Sequence, residues 1–142
     1  MKGNLTNATT LDTPWLAQVI DAVAPPGVTD EIIVALIYGP GDRAKVQYPG
    51  VEGYDGKPSV MIGLQAQTKF PAELLSIIGS VEVRSLQEIA VYMLAHSFKR
   101  IEQARQLRGY DEDEAARWAA EKLAAYRNGE LKLARVVDRR FS

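Results

Sequence analysis

At 142 residues, with 46% hydrophobic and 25% charged residues, the chain has the length and composition of one folded domain, which excludes disordered and fibrous classes. It contains no cysteine, so disulfides, thiolate metal sites and cysteine nucleophiles are excluded together. The net charge of -1 joins residues 1–98, with 6 Lys/Arg and 10 Asp/Glu, to residues 99–142, with 11 and 8, a tilt far milder than the field of a nucleic-acid-binding domain.

The opening "MKGNLTNATT" is polar and lacks the apolar core of a signal peptide, so residues 1–12 read as a flexible N-terminus. No later stretch reaches the roughly 18 apolar residues of a membrane span, and a cytoplasmic protein without a membrane partner is expected. In "TPWLAQVIDAVAPPG", Thr13 is placed to cap a first helix, Pro14 suits its first position, and Trp15, Val19 and Val23 recur at helical spacing until Pro25-Pro26-Gly27. Glu31 to Tyr38 reads as a buried strand. A Gly-Pro-Gly-Asp turn then leads into a more polar run from Arg43 to Tyr48, the pattern of a hairpin.

"PGVEGYDGKP" is an exposed loop, and "SVMIGLQAQ" (Ser59 to Gln67) a third strand in which Gly63 fits a bulge, a close backbone approach or, equally, plain packing. "FPAELLSIIG" is expected to be a short helix ended by Gly79. Ser85 and Glu88 have the spacing of a capping box, starting a long helix to about Leu107 with Leu86, Ala90, Met93, Leu94, Ile101 and Ala104 on one arc. Asp111 with Glu114 repeats that logic for a helix through Tyr126, closed by Asn128-Gly129, and "ELKLARVVDRRF" suggests a C-terminal helix or tail over 130–142. Strands grouped before helices predict an α+β fold in a single domain over 1–142, with helices packed on one face of a small, mostly antiparallel sheet.

His96 is the only histidine of the chain. Together with Tyr92-Met93-Leu94-Ala95, the cleft strand Ser59 to Gln67 and the later helix "DEDEAARWAAEKLAAYR", it resembles the active-site segment of the zincin-like metallopeptidases. In those proteins two histidines of H-E-x-x-H lie on one helical face and share a zinc, while the Glu takes a proton from metal-bound water. The resemblance places Tyr92 at the first His, Met93 at the catalytic Glu, His96 at the second His, Glu112 at the third ligand and Ala116 at the residue that orients a ligand.

Methionine cannot act as a base, and two protein ligands fall short of the three of a catalytic zinc. The resemblance therefore implies no catalytic residue, no bound metal and no cofactor: a degenerate site. The implied activity is binding a protein or peptide partner along the former cleft, with Gly63, Gln65, Tyr92 and Trp118 as contacts. Ala- and Arg-rich helices on a compact domain suit a bacterial or phage accessory protein. A lone histidine at the edge of an apolar arc is also, commonly, a plain semi-buried residue, and "DEDE" an acidic first turn favoured by the helix dipole.

Two other readings stay open. A divergent metal-dependent hydrolase would use His96 and Glu112 with Asp113 or Glu114. Nucleic acid would bind through Lys99, Arg100, Arg105 and Arg108, joined by Lys132, Arg135, Arg139 and Arg140. Phosphate-loop, dinucleotide and serine-hydrolase motifs are absent, while a glycosidase built from two converging carboxylates has no motif to look for.

Overall fold

The computed structural model describes residues 3–26, 28, 32–66, 68–76, 79–131 and 133. Strand β1 (Gly3–Asn7) leads through helix α1 (Thr13–Val23) to β2 (Ile32–Tyr38), β3 (Arg43–Gln47) and β4 (Ser59–Leu64). A hairpin of β5 (Ala72–Ser76) and β6 (Gly79–Val83) precedes the long helices α2 (Leu86–Arg105) and α3 (Glu112–Arg127). The α+β class and the packing of helices on one sheet face are as expected. Among the described residues no helix is long and apolar enough to cross a membrane.

The expectation of a mostly antiparallel sheet needs correcting. The four-stranded sheet has the order β1-β2-β4-β3, with β1, β2 and β4 parallel and only β3 antiparallel. The long connection through α1 lets β1 and β2 run the same way, as parallel neighbours require. Nor do β2 and β3 form a hairpin, because β4 lies between them. Composition explains the order. β2 and β4 carry Ile32, Val34, Leu36, Val60, Ile62 and Leu64 into the core, whereas Arg43, Lys45 and Gln47 make β3 an edge strand.

Of the N-terminal segment expected to be flexible, residues 3–12 are structured, starting with β1. Leu5 of β1 stands opposite Val34, and the Asn7 side chain ends the strand by donating to Leu11 O at 2.6 Å and accepting from Thr9 N at 3.0 Å. Helix α1 is capped one residue earlier than expected, by Asp12, which accepts from Trp15 N at 3.0 Å. Within the segment expected as a short helix, Ala72–Ser76 form strand β5. Its residues alternate, Ala72 and Leu74 half-buried and Glu73 and Leu75 exposed, and pair antiparallel with β6 from Ala72 opposite Val83 to Ser76 opposite Gly79. The expected C-terminal helix falls, beyond residue 133, outside the described residues.

Helix α2 starts as its capping signal requires, with Ser85 Oγ accepting from Glu88 N at 3.2 Å. It is more central than a one-sided apolar arc implies, since every residue from Glu88 to Ala95 is buried. The sheet, α1, the hairpin and α3 surround it. The buried Glu88 carboxylate accepts from Arg84 N at 2.9 Å and from Arg127 Nη2 at 2.7 Å and Nε at 3.1 Å, tying α2 to the end of α3, while the same guanidinium donates to Glu82 O of β6. These bonds, led by the one from Arg127, hold the Glu88 carboxyl below its usual range despite its burial.

Candidate functional site

Four residues of α2, Tyr92, Met93, His96 and Arg100, lie on one helical face and floor a cleft of about 470 Å³. One wall is the start of the β3 edge, Asp42 to Ala44; the other is Glu73 to Leu75 of β5; and Glu112 of α3 also lines it. Among the described residues β3 pairs only with β4, so its outer edge is free at the cleft. Tyr92 also lines a second recess of about 220 Å³, under β6, shared with Asp113, Ala116 and Arg117 of α3. The hairpin therefore lies across α2, with β5 toward the β3 side and β6 toward α3.

His96 Nε2 lies 3.2 Å from Glu112 Oε1, both side chains mostly shielded from solvent. An ionised carboxylate only accepts, so this partner assigns the proton to Nε2. The His96 ring stacks on Tyr92 at 6.2 Å and meets Tyr110 edge-on at 6.5 Å. Burial, aided by the Glu112 charge, raises the Tyr92 phenol above its ordinary value, further from ionising at neutral pH.

A residue with no motif to announce it sets this geometry. Gln103, buried at the end of α2, donates to Asp111 O at 3.0 Å and to Glu114 Oε1 at 3.1 Å, and accepts from Asp111 N at 3.2 Å. Arg108 completes the clasp with two bonds to Glu114, at 2.6 and 3.1 Å. Bonds from Arg108 and then Gln103 lower the Glu114 carboxyl to about 2. Asp111, so held, caps α3 by accepting from Glu114 N at 3.1 Å, which puts Glu112 in the first turn facing His96. In sequence a glutamine near a helix end reads as a solvated residue.

The predicted positions divide clearly. Tyr92, Met93, His96 and Glu112 come together at the cleft, and Ala116, one turn beyond Glu112, lines the adjoining recess with Tyr92. The cleft wall, however, is not the Ser59 to Gln67 segment. β4 is interior, and Gly63 pairs with Ile37 on one side and Arg43 on the other. A Cβ on Gly63 would meet Gly41 O at 3.6 Å and Arg43 O at 3.9 Å, ordinary van der Waals distances in an unbroken ladder, so neither a bulge nor a close backbone approach accounts for this glycine. Gln65 N bonds Asp42 Oδ1 at 2.9 Å, behind the edge. Trp118 faces away from the cleft toward α1, its indole donating to Val23 O at 2.9 Å and its ring flanked by Lys99 and Lys122 at 4.8 and 4.4 Å. Neither Gly63, Gln65 nor Trp118 lines the cleft.

The residues invoked for other chemistry, Arg100 apart, are engaged elsewhere or lie outside the described residues. Glu114 belongs to the clasp and Asp113 pairs with Arg117. Among the described residues no three His, Cys, Asp or Glu side chains gather where an ion would fit. Lys99 pairs with Glu102 at 2.6 Å, Arg108 with Glu114, and Arg105 has an interaction of its own, so these cations form no free basic stripe; Lys132, Arg135, Arg139 and Arg140 lie outside the described residues. Compared with protein-family models, curated proteins and solved structures, the chain finds no match in any of the three.

Proposed function

We propose that the chain is a catalytically inactive zincin-like domain working in the cytoplasm as a peptide-binding or regulatory accessory module. The observation that carries this reading is the His96–Glu112 pair beside a free strand edge, with Met93 in the base position. The 3.2 Å between His96 Nε2 and Glu112 Oε1 is close to the separation, about 3.3 Å, of two ligands on a tetrahedral ion with bonds of about 2.0–2.1 Å. The third corner falls to Tyr92, a buried phenol whose pKa is raised, and such a group is a poor ligand at neutral pH. The donor set does not fit a catalytic zinc, and no hydrolytic step is derived through one.

A cleft of about 470 Å³ with an unpaired strand edge, a floor that sets Tyr92 and Met93 beside His96 and Arg100, and walls carrying Asp42, Arg43 and Glu73 is suited to an extended peptide. Backbone bonds to β3 supply affinity, and alternate side chains meet the α2 floor. The test is selection from a phage library of random linear peptides on the purified full chain, with binding repeated in a chelator. Recovery of peptides that compete for one site, with affinity unchanged by chelation, is expected. Stoichiometric zinc in the purified protein, or binding abolished by the chelator, would overturn the metal-free reading.

A further inference from the structure

Several cations of the long helices have an internal acid. Lys99 has Glu102, Arg108 has Glu114 and Arg127 has Glu88, at 2.6, 2.6 and 2.7 Å. Arg100 has none: among the described residues its guanidinium makes no ion pair and no hydrogen bond, although it is half-buried and lines the cleft. Its one contact of that kind is with the ring of Tyr110, 4.4 Å away. Contact with a ring uses the face of a guanidinium and leaves its in-plane N–H donors available.

The cleft's own carboxylates do not satisfy these donors. Glu112 is bonded to His96, and Asp42 accepts from Gln65 N. Burial lowers the Arg100 pKa, while the charges of Glu112 and Glu52 oppose that shift without either acid pairing with it. An unpaired, partly desolvated guanidinium facing a cavity is costly unless an anion from outside completes it.

We propose that Arg100 is the anion-recognition residue of the cleft, taking the carboxylate of an Asp or Glu side chain of the bound extended peptide in a two-pronged bond. This rests on the peptide-binding reading. Four acids, Asp42, Glu52, Glu73 and Glu112, stand around the cation or along the cleft against the cations Arg43 and Arg100, so a singly charged carboxylate is accepted more readily than a phosphate dianion. The helix also sets a spacing. For a ligand that runs along the axis of α2, the rise from Tyr92 to Arg100 is about 12 Å at 1.5 Å per residue, which an extended chain at about 3.3 Å per residue covers in roughly four positions, returning to the same face. The preferred ligand thus carries an apolar residue over Tyr92 and Met93 and an acid four positions away.

The test selects random linear dodecapeptides on the full chain and, in parallel, on Arg100→Met, which keeps an apolar side chain on Tyr110. The best peptide and a twin with its acid changed to the amide are then compared by calorimetry on both proteins. On the wild type, enrichment of Asp or Glu four positions from an apolar residue is expected, with the twin at least about tenfold weaker. On Arg100→Met the two peptides are expected to bind alike. Selected peptides without an acidic preference, or a preference undiminished in Arg100→Met, would overturn the role of Arg100 and leave peptide binding standing. If no peptide binds at all, both readings fall. Should Arg100→Met not fold, the acid and amide peptides on the wild type still decide, since equal affinity there is sufficient to reject the proposal.

Discussion

Replacing Gln103 with Leu probes how the site is held together. The side chain is 1% exposed and makes three bonds, two to the backbone of Asp111 and one to the Glu114 carboxylate. Each neutral bond contributes about 0.5–1.5 kcal/mol net and the one to the charged carboxylate about 1.5–3 kcal/mol, while leucine restores the apolar volume. Asp111 itself is exposed, so water can reach the groups left behind, and a loss near the low end, about 2–3 kcal/mol, follows. Gln103→Glu should be worse, because it loses both donors and sets a second carboxylate against Glu114. Urea denaturation measures both losses, and nuclear magnetic resonance of the single His96 ring reports whether Glu112 has moved. A Gln103→Leu loss below about 1 kcal/mol with an unmoved His96 signal would refute the claim that this clasp positions Glu112.

Two further predictions follow from the same pairings. Arg127→Met strands the buried Glu88 carboxylate, and about 3 kcal/mol should be lost at pH 7, the low end for breaking a buried pair because Arg127 is partly exposed. In the wild type the Glu88 pKa is lowered, so the stability it contributes is full above its ordinary value of 4.5 and lost as pH falls through the lowered one. The gap between wild type and Arg127→Met should therefore narrow below about pH 4.5, and a gap constant with pH in thermal melts would contradict this. Second, Tyr92→His with Met93→Glu and Ala116→Asp places two imidazoles one turn apart beside Glu112. The recess shared by Tyr92 and Ala116 lets the new Asp reach the new His. Zinc titration should show affinity rising by about 100-fold or more over the parent, and a folded variant that binds zinc no better would refute the zincin-like arrangement.

The sequence announced its helices through local chemistry. Ser85 and Asp111 cap α2 and α3 by bonds to their own third residues, Glu88 and Glu114, and such signals need no tertiary context. Glu112 was brought opposite His96 by motif spacing, and the structure joins the two at 3.2 Å. Strands were harder where tertiary partners decide. β1 has one apolar residue, Leu5, and depends on pairing with β2. In "AELLS" an apolar pair fits a helix turn as well as a strand, and β6 settles it. Sequence alone puts the cleft wall at Ser59 to Gln67, whereas strand order, a nonlocal property, puts it at β3. Only the insertion of β4 between β2 and β3 makes β3 the edge, and that removes Gly63 and Gln65 from the site.

The central claim is that an extended ligand adds to the free edge of β3 over the α2 floor. Hydrogen–deuterium exchange on the full chain, with and without a saturating selected peptide, tests it most directly. Slowed exchange is expected in Arg43–Gln47 and in the facing Ala72–Ser76, with the outer sheet face around Ile33, Ile37 and Met61 unchanged. Protection on that outer face, with the β3 edge exchanging as in the free protein, would contradict it.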